Sequence, residues 1–327
     1  IIIMADITTT FAGIKLEIPI IAASSGFTSS PDRCKKLQDA GVSAVVLKSI
    51  FEEQISEKTK AMHGDSTGEG VDMLREYVRG NELNNYITLV ENTKKLCSIP
   101  VIASICCSQI GEWSSFAKII EDAGADAIEL NIMSLVASKD YKFGEYEERH
   151  AEIVEEVKRE VSVPVIVKMG QNLTNPAATV QKLYAHGAKD VVLFNRYFHT
   201  DINIEKMDYC AGQVYSNASD LSDRLRWTGI CSALIPNVRY AVSGGVHDGD
   251  AVIKSILAGA SAVEVCSAFY HDGTDVVSSM ISRLESWMKS KGFDSIDQMR
   301  GKLNLKNVKD YSVLDRTQFL TAFHTGE

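Results

Sequence analysis

Eight short apolar runs, each followed by a stretch with helical spacing, limit most what this chain can fold into. They are Ile18–Ala23, Ala44–Ser49, Val101–Ile105, Ala127–Ile132, Val163–Met169, Asp190–Asn195, Tyr240–Ser243 and Ala262–Cys266. Several are apolar without alternation, as strands buried on both faces are. The Gly of Ala40-Gly41, Ala123-Gly124, His186-Gly187 and Ala258-Gly259 suits a helix C-terminus before the next strand. Pro19, Pro100 and Pro164 stand near strand starts, where a missing N–H is tolerated. Eight such repeats predict closure into a (β/α)8 TIM barrel over an open doubly wound sheet. With 327 residues and no linker-like stretch, one domain over 1–327 is expected. Loop insertions at about 51–81 and 198–220 follow strands two and six and fall on the face where the strands end.

Composition narrows the function. A net charge of -9, with no block of Lys and Arg, argues against nucleic acid as a partner. No apolar run approaches the ~18 residues of a membrane span, and residues 1–4 do not read as a signal peptide. Seven cysteines without a C-x-x-C pair fit a reducing cytoplasm and no metal or cluster held by this chain alone. None of the seven histidines stands in H-x-x-x-H spacing.

The polar residues that end the strands are the candidate site, because a barrel converges them on one rim. Strand one runs into Ser24-Ser25-Gly26, strand two into Lys48-Ser49, and strand four into Glu129-Leu130-Asn131. Strand five ends on Lys168, strand six on Asn195-Arg196, strand seven on Ser243-Gly244-Gly245 and strand eight on Cys266-Ser267. Glycine turns after strands seven and eight expose backbone N–H groups to a phosphate. A lysine at the mouth can offset negative charge on a bound ring system or act as a Schiff-base nucleophile, so Lys168 and Lys48 leave a lyase open. Arg196 is a candidate clamp for a small planar carboxylate, or the partner of a loop acid.

The set Ala-Ser-Ser-Gly, Leu-Lys-Ser, Glu-Leu-Asn, Val-Lys-Met, Phe-Asn-Arg, Ser-Gly-Gly-Val and Val-Cys-Ser, in this order, resembles the dihydroorotate dehydrogenase family over nearly the whole chain. The segment from Asp297 to Leu303 is similar as well. The resemblance implies FMN held by Ser25, Gly26, Lys48, Ser49, Asn131, Lys168, Asn195, Ser243, Gly244, Gly245, Cys266 and Ser267. Substrate would meet Lys48, Asn131 and Asn195, with Ser134 as base and Lys168 supporting the reduced flavin; Arg196 joins the substrate side only by its own chemistry as a clamp. The implied reaction is oxidation of dihydroorotate to orotate, or of a related CH–CH substrate. A cytoplasmic homodimer is expected, with an electron-transfer partner protein as one route for electrons. The match thins after strand four, where Ser134 is followed by Leu135-Val136 in place of the family's Pro and Asn, and Arg196 stands in place of a Ser or Thr. Those departures leave two alternatives: another FMN-barrel reductase fed by an iron-sulfur partner, and a non-catalytic FMN-binding protein.

Overall fold

The structure, a computed structural model, describes residues 5–51, 54, 57–58, 61, 69–107 and 113–318. Its centre is a ring of eight parallel strands: β1 (Ile20–Ala22), β2 (Ala44–Val46), β3 (Val101–Cys106), β4 (Ala127–Ile132), β5 (Val165–Met169), β6 (Asp190–Leu193), β7 (Arg239–Ser243) and β8 (Ala262–Val265). β1 pairs with β8 through Ile20 and Val263, while β2 pairs with β1 and with β3, so the ring closes. This is the (β/α)8 barrel that the repeats predict. β1 and β5 are each two residues shorter at the start than the apolar runs suggest. Pro19 and Pro164 stand just outside them and contribute only their carbonyls, to Val263 N at 2.8 Å and Ile128 N at 2.9 Å.

Strand periodicity sorts the side chains into two cores. One set, including Ala22, Val45, Ala103, Ile128, Val167, Leu193, Val242 and Val263, packs outward against the helices. The other, Ile21, Ala44, Val46, Ile102, Ala127, Ile166, Val192, Ala241 and Ala262, fills the barrel interior. Two residues further along the same inward face come Ser104, Glu129, Lys168, Ser243 and Glu264, all buried. An apolar floor thus lies beneath a polar layer.

The strand pattern did not reveal what seals that floor. Thr9–Phe11 and Ile14–Leu16 form an antiparallel hairpin whose Phe11, Ala12 and Leu16 join the interior core. Both turn residues have positive φ, Ala12 at 51° and Gly13 at 69°, as a tight hairpin of this hand requires. The Ala12 N–H donates to the Asp190 carboxylate at 2.7 Å, which ties the plug to β6.

The two insertions differ from simple loops. A helix, Glu69–Leu96, takes up residues 69–81 of the first, because Val78, Leu83, Tyr86 and Val90 lie on one buried helical face. The second carries an exposed hairpin, Thr200–Asn203 paired with Asp208–Ala211, before the helix Leu221–Leu234. No helix among the described residues is long and apolar enough to cross a membrane.

Candidate active site

A cavity of about 360 Å³ opens at the C-terminal ends of the strands. It is within the size range of small-molecule sites. Ten residues singled out from the sequence line it: Ser25, Gly26, Lys168, Asn195, Arg196, Ser243, Gly244, Gly245, Cys266 and Ser267. A larger groove of about 730 Å³ runs between residues 142–148 and 174–182, but it is open and flanked by Glu145, Glu147 and Glu148, away from the barrel mouth.

The floor of the mouth is charged. Lys168 Nζ donates to Glu264 Oε2 at 2.5 Å and lies 3.7 Å from Glu129 Oε1. Burial opposes the lysine's charge, but the two carboxylates outweigh it and hold the ammonium above its ordinary pKa. For Glu129, burial and the neighbouring Glu264 carboxylate push the carboxyl well above the usual range, against the pull of Lys168. Neither Glu129 oxygen has a hydrogen-bond partner among the described residues. Lys168 with Glu264 is therefore the hydrogen-bonded ion pair of the layer, and Glu129 stands beyond hydrogen-bond distance of the same ammonium.

The far end of the cavity is built by backbone. Gly244 and Gly245 have φ of 94° and 79°, which turn their N–H groups out of the strand direction. At Gly245 a side chain is also excluded by packing, since an added Cβ would lie 2.3 Å from Leu221 N. The Gly245 N–H donates to Ser216 Oγ at 3.3 Å, and the Ser216 N–H donates to Ser267 Oγ at 2.9 Å. The Gly245 N–H thus faces an oxygen acceptor already. Beneath them Arg224 is 2% exposed. Its Nε donates to Ser243 O at 3.2 Å and its Nη1 to Asp220 O at 2.8 Å, while Nη2 has no partner among the described residues. A buried cation under a turn rich in N–H groups is suited to a dianionic phosphate.

The side between these ends carries amides. Asn195 Nδ2 donates to Asn131 Oδ1 at 2.9 Å, which joins strands four and six at the rim. Ser134 is half-buried, with its backbone pinned on both sides: the N–H donates to Tyr146 Oη at 3.0 Å, and the carbonyl accepts from Asn172 Nδ2 at 2.9 Å. Arg196 is turned back into its own insertion, donating to Val214 O at 2.7 Å and lying 3.9 Å from Asp220.

Four candidates stand apart from the cavity lining: Asn131 and Ser134, placed as above, and Lys48 and Ser49. Lys48 is exposed on the rim, where its N–H donates to Thr28 O as the chain turns toward Ile50–Phe51. Ser49 is buried below, bonded to Ser24 Oγ at 3.0 Å and Ser104 Oγ at 2.8 Å. Glu264, Ser216 and Arg224 join or back the site from positions that strand ends do not mark. Glu264 had a signal, because a lone acid inside Ala-Val-Glu-Val-Cys must point into the barrel if its neighbours face the helices. Arg224, inside Asp-Arg-Leu-Arg, looks like part of a solvated helix face.

A closed β/α barrel with a charged layer, a glycine turn after β7 and an amide pair at its rim encloses a cavity of small-molecule size at the C-terminal strand ends, the place of an enzyme's active site in this fold. Comparison with known proteins makes the class specific. The family model described as dihydroorotate dehydrogenase matches residues 6–211. The chain is similar to the catalytic subunit of dihydroorotate dehydrogenase B (NAD(+)) of Thermoplasma volcanium, 29% identical over 310 residues, which cover 91% of this chain and 98% of the relative. It is also similar to the NAD-dependent dihydropyrimidine dehydrogenase subunit PreA of Escherichia coli, 25% identical over 334 aligned positions, covering 95% of this chain and 80% of the relative. The chain belongs to the dihydroorotate dehydrogenase family, a flavin-dependent family of oxidoreductases acting on CH–CH groups.

Proposed function

We propose that the whole chain forms one barrel domain that holds FMN across its mouth and oxidises dihydroorotate or a closely related dihydropyrimidine. The observation that carries this reading is the pairing of a buried cation, Lys168, on the cavity floor with the Gly244-Gly245 turn, backed by Arg224, at its other end. FMN would supply the hydride acceptor. Ser243, Gly244, Gly245, Cys266 and Ser267 would seat its phosphate, with Ser25 and Gly26 along the ring and Lys168 beneath the pyrimidine edge. Lys48 and Ser49 stand at the rim of that seat and below it. The Asn131–Asn195 pair offers donors and acceptors to a planar substrate. Ser134 would take the substrate proton, its loop fixed by Tyr146 and Asn172.

Arg196 favours a second reading for the substrate. Its guanidinium is committed to the carbonyls of Gln213 and Val214, which weakens its case as a carboxylate clamp. Leu135 and Val136 on the loop after β4 are exposed and apolar. Both features suit a dihydropyrimidine without a carboxylate. The names of the two relatives, a catalytic subunit and a subunit, support an electron-transfer partner protein. We place the protein in the cytoplasm as a homodimer.

Anaerobic absorbance of the FMN-loaded protein tests the reading. Dihydroorotate is expected to bleach the flavin band. Bleaching by dihydrouracil and not by dihydroorotate would move the assignment to the uncharged substrate. A spectrum that changes with dithionite and with neither substrate would sink both.

A further inference from the structure

We infer that Glu264 is a positioning residue that cancels the charge of Lys168 and so keeps the bound flavin's reduction potential low. The inference rests on the FMN reading above and concerns how the site is tuned.

The geometry carries it. Glu264 lines the cavity together with Lys168, and its Oε2 holds the ammonium at 2.5 Å, so the two share the same face of the floor. Lys168 has three N–H donors, of which Glu264 engages one, leaving others for a ligand above. The β8 register sets Glu264 beside Ser243 on one side and Ile21 on the other. Its side chain therefore has no freedom to leave the barrel interior without breaking a strand. Glu129, on β4, approaches the same ammonium only to 3.7 Å, so the carboxylate in hydrogen-bond contact with it is that of Glu264. Cys266, a further titratable group near Lys168, has its thiol raised by burial. The ammonium therefore has a carboxylate in direct contact before any ligand arrives.

That contact matters for redox chemistry. Uptake of a hydride, two electrons and one proton, adds one unit of negative charge to a flavin. A bare lysine beneath the ring would favour the reduced form strongly in so dry a site. A lysine already paired at 2.5 Å favours it much less. The pair also fixes where the ammonium points, so Glu264 acts through Lys168 and not on substrate.

The test is an anaerobic redox titration of FMN-loaded protein against a reference dye, with wild type, Glu264→Gln, Glu264→Asp and Glu129→Gln compared. Glu264→Gln keeps an acceptor for Lys168 and removes the charge. It is expected to bind reduced FMN at least tenfold more tightly relative to oxidised FMN than wild type does, a rise of at least ~30 mV for a two-electron couple. Glu264→Asp, which keeps the charge, should stay nearer to wild type, and Glu129→Gln, at the more distant carboxyl, should shift the potential less than Glu264→Gln does. If Glu264→Gln fails to fold or to retain FMN, Glu264→Ser carries the same expectation. Equal potentials in wild type and the neutral variants, with FMN bound in both, would overturn this inference and leave the FMN reading standing. Failure of wild type to take up FMN at all would overturn both.

Discussion

Replacing Lys168 by methionine is expected to cost about 3–5 kcal/mol of folding stability, because it leaves the Glu264 carboxylate buried and unpaired. Methionine fills the lysine's aliphatic volume, so the loss reports the charge and not a cavity. Urea unfolding at pH 7 measures it. The double change Lys168→Met with Glu264→Gln removes both charges, and it should recover most of the stability, giving a coupling energy well above that of distant sites. The same single change should abolish bleaching of the flavin by substrate. A Lys168→Met protein as stable as wild type would mean that the buried ion pair is not formed.

The second large effect is expected at the other end of the cavity. Gly245→Ala places a side chain on a backbone with φ of 79° and sets its Cβ 2.3 Å from the Leu221 nitrogen. Strain in that region costs roughly 1–3 kcal/mol, and overpacking about 1–3 kcal/mol more. The clash is with backbone, so the turn itself must shift. Thermal unfolding should show the stability loss, and FMN affinity should fall at least tenfold as the N–H groups lose their aim at the phosphate.

These two residues illustrate unequal legibility. The barrel is readable because the strands are short, largely apolar runs and four of the helices between them end at Gly41, Gly124, Gly187 and Gly259, and period-two alternation puts Lys168 and Ser243 on one inward face. The hairpin at Thr9–Leu16 was not readable, since three-residue strands around Ala12-Gly13 have too little length to show a period. The start of the helix at Glu69 was hidden by the polar stretch that precedes it. At the site, strand-end residues are legible by position, whereas Ser216 reaches the cavity from an insertion and Arg224 backs the turn from a helix. Only the folded chain brings them under the Gly244-Gly245 turn. Lys48 shows the converse limit, because a strand end one residue further along can leave a side chain outside the cavity.

The central claim is that a phosphorylated flavin sits between that turn and Lys168. Calorimetric titration of the cofactor-free protein with FMN and with riboflavin tests it most directly, because the two ligands share the ring system and differ by the phosphate. Two or more charge-assisted hydrogen bonds to the phosphate, at about 1.5–3 kcal/mol each, predict FMN binding at least ~100-fold more tightly than riboflavin. Equal affinities for the two, or no binding of either, would contradict the claim.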